Sequence, residues 1–190
     1  MWFALFWMRP LREYWRQELG ERHWRELLKV IPQTWILDPQ PLPHHAVIPD
    51  LNVQSWEELG HFSKKERNLI LKISGFSEMA WGSRGVELGE DLSQKNWQEA
   101  LKRAVTEYDQ HPYILQRFHK GRIVQHPYQD RKTGEIAMME GRVRLCPYYF
   151  IVDGKSQLKG ALATICPADK KLLHGMKDAI LVPSAEVIGR

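Results

Sequence analysis

Lys72 ends an apolar run, Leu69-Ile70-Leu71, and a loop of unusual composition follows it. That loop holds Gly75, Gly82 and Gly85, the hydroxyls of Ser74, Ser77 and Ser83, and Arg84, before a second β-like run from Val86 to Leu88. Strand, lysine, glycine-serine loop, strand is a chemically sensible way to hold a polyphosphate. Glycine lets successive backbone N–H groups converge on an anion, and the lysine and arginine supply full charges. The stretch is not a Walker loop, because no Gly-Lys-Ser/Thr opens a helix, and it lacks the Gly-x-Gly-x-x-Gly of a dinucleotide fold. The same residues also fit a plain β-hairpin with a long loop rich in glycine and serine.

A second set of candidates lies in Gly141-Arg-Val-Arg-Leu-Cys-Pro-Tyr-Tyr-Phe-Ile-Val152. Strand alternation puts Arg142 and Arg144 on one face and Val143 and Leu145 on the other. Neighbouring guanidinium groups repel unless they share an acidic partner or an anionic ligand. Glu135 and Glu140 could be that partner; a phosphate or carboxylate is the more specific reading. Third, Tyr113-Ile-Leu-Gln-Arg-Phe118 is an apolar strand ending in polar residues, whose free backbone groups could meet a purine edge, although many core strands end so.

The histidines carry less. His44, His45, His111, His119, His126 and His174 show neither His-x-x-x-His spacing nor an acidic cluster nearby. His174 would approach a ligand only if the loop Leu172-Leu-His-Gly-Met-Lys177 folded toward a cleft. Cys146 and Cys166 make neither a disulfide framework nor a zinc set and read as buried thiols on neighbouring strands.

The elements that must position these residues follow from periodicity. Leu11, Tyr14, Trp15 and Leu19 fall at helical spacing, with Pro10 in the first turn and Gly20 as the stop. Trp24, Leu27, Leu28 and Ile31 repeat the pattern until Pro32. Between Pro32 and Pro49 stand five prolines, which make an extended connector with room for a short strand at Trp35-Ile-Leu37. A weak helix is predicted near Gln54 to Leu59. One strong helix is predicted after Asp91 or Ser93, with Trp97, Ala100, Leu101, Ala104, Val105 and Tyr108 on one face. Strands are predicted at Pro112–Phe118, Arg122–His126, Ala137–Asp153, Leu158–Cys166 and Ala179–Val182. The fold class expected is α+β, an antiparallel-rich sheet with a packing helix. Residues 1–60 are expected to form a helical segment and proline-rich connector, and 61–190 an α+β domain.

Composition bounds the class. The chain has 190 residues, of which 43% are hydrophobic and 26% charged, with a net charge of +4. Those values suit a globular protein with an anionic partner. The opening Met1-Trp-Phe-Ala-Leu-Phe-Trp-Met lacks the positive segment and small-residue cleavage site of a signal peptide. No apolar run reaches the length of a membrane span. These features predict a cytoplasmic protein without a membrane partner. Eight tryptophans and six tyrosines could form a stacking surface for nucleic acid. Against that stand Trp15, Trp24 and Trp97 on apolar helical faces and the lack of a dense basic run.

Together the segments resemble the ATP-grasp superfamily in its circularly permuted form. Leu19-Gly20-Glu21, Pro32-Gln-Thr-Trp35 and Leu71-Lys72 look like the family's leading motifs. Ser74 to Gly85 looks like its glycine-rich loop, Trp97 to Leu101 its helix, Ile114 to Phe118 its linker strand, and Val143 to Phe150 its arginine strand. The resemblance runs from about Leu19 to Cys166. It implies two α+β subdomains that grip ATP and join a carboxylate to an amine through an acyl phosphate. By that resemblance Lys72 neutralises the phosphates, while Ser74, Gly75, Gly82, Ser83 and Gly85 cover them. Gln116, Arg117 and Phe118 lie beside adenine. Arg142 or Arg144 steadies the transferred phosphoryl group, where stabilised charge gains most rate.

The family holds Mg2+ through an acidic residue and a Glu-x-Asn pair on neighbouring strands; the one Glu-x-Asn here, Glu66-Arg67-Asn68, instead leads directly into the Lys72 strand. The resemblance puts that element upstream in permuted members, which predicts that this chain is a C-terminal portion needing an upstream half or partner chain. Asp169, Asp178 and Glu140 are substitute ligands by type but read as ordinary surface carboxylates. A non-catalytic nucleotide-binding or interaction domain is the alternative. On the half-site reading, Trp2, Phe3, Phe6 and Trp7 should form an apolar patch without a partner.

Overall fold

Proline and glycine divide the N-terminal part as their backbone preferences require. The computed structural model describes residues 1–73, 77–80, 84–171 and 178–184. A short helix α1 spans Trp2–Trp7, a 3-10 turn at Arg9–Leu11 carries Pro10 in its first turn, and α2 spans Arg12–Val30. Gly20 interrupts α2 with φ 72° and ψ 149°, a conformation that costs a residue without Cβ little. The ion pairs Arg16–Glu13, Arg16–Glu21 and Arg25–Glu21 lie along its exposed side, and pairs of this kind add little stability.

The orphan patch predicted at the start of the chain is only half present. Trp2 and Phe3 are exposed, at 74% and 45%, but Phe6 and Ala4 are buried. Ala4 and Phe6 are covered, and Trp7 is half-buried, where α1 packs against both the first strand and α2. Phe6 meets Trp15 at a centroid distance of 6.1 Å, and the Trp15 indole donates to the Leu5 carbonyl at 3.0 Å.

Two antiparallel sheets of four strands carry the rest. The first has the order β1-β4-β2-β3, from β1 (Thr34–Ile36), β2 (Leu69–Ile73), β3 (Val86–Leu88) and β4 (Tyr113–Arg117). The helix α3 (Gln94–Thr106) covers one face of it. The Ser93 hydroxyl accepts from the Asn96 amide at 3.1 Å and so caps α3. Trp97, Ala100, Leu101 and Ala104 are buried against Leu69, Leu71, Tyr113 and Leu115, with Trp35 and Leu37 in the same cluster. Trp97 is 0% exposed, and its indole still finds a partner in the Leu59 carbonyl at 2.8 Å. The weak helix expected near Gln54 is a 3-10 turn, Glu57–His61.

The second sheet has the order β5-β6-β7-β8, from β5 (Ile123–Gln129), β6 (Ile136–Val152), β7 (Lys155–Pro167) and β8 (Ile180–Ser184). Asp153 and Gly154, with φ of 50° and 71°, make the two-residue turn between β6 and β7. Tyr149, Phe150 and Ile151 near this turn are all more than half exposed. Cys146 and Cys166 are free thiols on these neighbouring strands, the first half-buried and the second buried. The architecture is α+β, as its periodicities predict, with the strands divided between two sheets. The chain forms two compact units, Met1–His119 and Lys120–Arg190. Among the described residues, no helix is long and apolar enough to cross a membrane.

Candidate functional site

Alternation along β2 decides what Lys72 can touch. Leu69, Leu71 and Ile73 face the core under α3, so Ile70 and Lys72 face the other way. On β4 the same rule turns Leu115 to the core and Gln116 to the side of Lys72. The register sets Ile70 opposite Gln116, and Thr34 of β1 opposite Gln116 on its other flank. Three residues far apart in sequence thereby share one face of adjacent strands.

Their side chains form a continuous network. The Lys72 ammonium donates to Gln116 Oε1 at 2.7 Å, Gln116 Nε2 donates to Thr34 Oγ1 at 2.8 Å, and Thr34 Oγ1 donates to the Pro32 carbonyl at 2.8 Å. Thr34 and Gln116 are buried, and Lys72 is half-buried. Among the described residues no carboxylate lies within ion-pair distance of Lys72. Burial accordingly pushes its pKa below the ordinary lysine value of 10.5. A cation held out of water on a neutral amide has an unspent capacity for an anion.

The other predicted residues have different surroundings. Gly85 closes the β2–β3 hairpin: its carbonyl accepts from the Ile73 amide at 2.9 Å and its own amide donates to the Met79 carbonyl at 2.7 Å. A Cβ here would collide with Ile73 and lie 2.8 Å from the Met79 carbonyl oxygen, so packing alone requires glycine. Ser74, Gly75, Gly82 and Ser83 lie outside the described residues, as does His174. The amides of Arg117 and Phe118 donate to the Gln33 and Asn68 carbonyls at 2.9 Å and 3.1 Å. Those donors belong to the sheet, so a purine beside β4 would be read by other groups. The Arg117 guanidinium donates to the Asp50 carbonyl at 2.9 Å and lies 5.8 Å over the Trp35 ring.

Arg142 and Arg144 belong to β6, in the unit that begins at Lys120. They occupy alternate positions opposite Cys166 and Thr164, and so share one face of the second sheet. The half-buried Arg142 donates to the Ala168 carbonyl, an arrangement that serves the chain's own backbone. Its partner is therefore neither Glu135 nor Glu140.

Thr34 is the member of the Lys72 network to which sequence reasoning assigned no role. Its signal was the Pro32-x-Thr34-Trp35 stretch, which stands before a strand whose pairing no local pattern reveals. Among the described residues, no three His, Cys, Asp or Glu side chains converge as a metal site. No family model, curated protein or solved structure matches this chain.

Proposed function

We propose that Lys72 and the loop after it hold the phosphates of ATP. On this reading the chain is the ATP-binding portion of a permuted ATP-grasp protein, from an ATP-dependent carboxylate–amine ligase that works through an acyl phosphate. The observation that carries the nucleotide part is the half-buried Lys72 ammonium, bound to the Gln116 amide with no carboxylate beside it among the described residues. A phosphate oxygen would supply the charge-assisted hydrogen bond that this cation lacks. Gln116 and Thr34 would hold the ammonium in one direction, because their own hydrogen bonds leave the amide no freedom to turn.

The described residues do not fit a magnesium seat. Asp178 pairs with Lys170 at 3.5 Å, and neither Asp169 nor Glu140 has two acidic neighbours converging with it. No step through magnesium is assigned to them. A second reading is nucleotide binding without ligase chemistry: Arg142 gives one of its guanidinium donors to the Ala168 carbonyl, and among the described residues no acidic set converges to seat a metal.

Titration calorimetry with ATP tests the proposal. Lys72→Ala should keep the far-ultraviolet circular dichroism of the wild type and lose about 1.5–3 kcal/mol of binding, more than tenfold in affinity. Equal ATP affinity in the two proteins would overturn it. Saturable ATP binding by wild type without turnover would favour the second reading.

A further inference from the structure

The end of α3, the start of β4 and the β2–β3 hairpin enclose a cavity of about 460 Å³ that plays no part in the Lys72 network. Its size is in the range of small-molecule sites. Arg103 and Glu107 stand four residues apart, a spacing at which opposite charges on a helix ordinarily pair. They do not pair here. Arg103 turns to Glu87, at 2.5 Å, and the Tyr113 hydroxyl in the same cavity donates to Glu107 Oε2 at 3.0 Å. Among the described residues Glu107 has no cation within ion-pair distance, and the His111 side chain in the same cavity makes no hydrogen bond. Arg84 lines another wall, where it donates to the Glu78 carbonyl at 2.8 Å, and Ile73 and Met79 supply apolar surface.

We propose that this cavity binds a free α-amino acid with an apolar side chain, its ammonium on Glu107 and its carboxylate on Arg103. Charge decides the class. A phosphate or dicarboxylate would approach Glu87 and Glu107, and a polyamine would approach Arg84 and Arg103, so either meets repulsion. A zwitterion with its two charges a few ångströms apart satisfies both charges. Glu107 gains the cation it lacks, and a guanidinium with five N–H donors retains some for a carboxylate beyond the one engaged by Glu87. Ile73 and Met79 favour an aliphatic or thioether side chain over a polar one. The inference is independent of ATP binding at Lys72, which lies on the opposite face of the sheet.

Calorimetry on the full chain with L-methionine as probe tests it. Saturable binding is expected. N-acetyl-L-methionine, without the ammonium, and L-methionine methyl ester, without the carboxylate, should each bind at least tenfold more weakly. Glu107→Gln should lose at least tenfold for L-methionine with an unchanged melting curve, and Lys72→Ala should bind it as wild type does. Absence of saturable heat with both L-methionine and L-leucine would overturn the proposal, as would equal affinity for the acetylated probe. A tenfold loss in Lys72→Ala would also overturn it, by merging this cavity with the nucleotide site. If Glu107→Gln does not fold, the comparison of the three probes on wild type decides alone.

Discussion

At the scale of single residues, the chemistry rests on where a charge has lost its water. Lys72 is shielded by the sheet and holds one neutral acceptor, so its protonated form is disfavoured in the folded state. The consequence for stability has a definite sign. With the folded pKa below the unfolded value of 10.5, the unfolded chain binds more protons across that interval, and stability rises with pH there. Below the folded pKa, lysine is charged in both states and the desolvation cost is fully present. A Lys72→Met variant has no such cost at any pH. The wild type should therefore gain stability relative to Lys72→Met as pH rises from neutrality toward 10.5. Urea denaturation of both proteins over that range measures it; a difference constant with pH would mean that Lys72 is solvated. Arg103, in the last turn of α3, and Glu107, its C-cap, show the converse case, where opposite charges take separate partners in Glu87 and the Tyr113 hydroxyl.

Elements, in turn, are held by a few contacts that can be removed one at a time. In α3 the cap and the buried indole are separable. Ser93→Ala removes the acceptor for the Asn96 amide and should cost about 1 kcal/mol. Trp97→Ala empties the centre of the first core and leaves the Leu59 carbonyl with the Phe62 amide alone, with an expected cost of about 3–5 kcal/mol. Urea midpoints measure both, and the two costs should differ severalfold. In β6 the sensitive position is Gly141. A Cβ there would run into the Cys166 carbonyl oxygen and approach Ile165 Cγ2 at 2.7 Å. The first of those neighbours is backbone of the paired strand, which cannot yield as a side-chain tip can. Gly141→Ala should thus destabilise the β6–β7 pairing by about 1–3 kcal/mol.

For the whole molecule, the division into units Met1–His119 and Lys120–Arg190 sets how these effects are seen. All eight tryptophans precede His119, so their fluorescence reports on the first unit alone. Gly141→Ala should lower the part of the circular dichroism transition that comes from the second unit and leave the tryptophan midpoint in place. Trp97→Ala should move the tryptophan midpoint. If Gly141→Ala shifts both signals equally, the units unfold as one. Much of this architecture is legible in the residues themselves. Helical spacing of Trp97, Ala100, Leu101 and Ala104 marks α3, Gly20 and Pro32 mark where helices break, and alternation marks β6. Periodicity encodes which side of a local element faces a core, and so it survives without tertiary information. Pairing does not, because nothing local records which strand lies beside which. That Gln116 meets Lys72, 44 residues away, and Thr34, 82 residues away, depends on β4 entering the sheet between β1 and β2. The same pairing spent the Arg117 and Phe118 amides on neighbouring strands, and it placed Arg142 and Arg144 in a sheet other than that of Lys72. The sequence by itself determined the elements and put a lysine at the end of a buried strand. The tertiary structure alone decided what that lysine touches, since burial and hydrogen-bond partners come from strands that the chain brings together only when it folds.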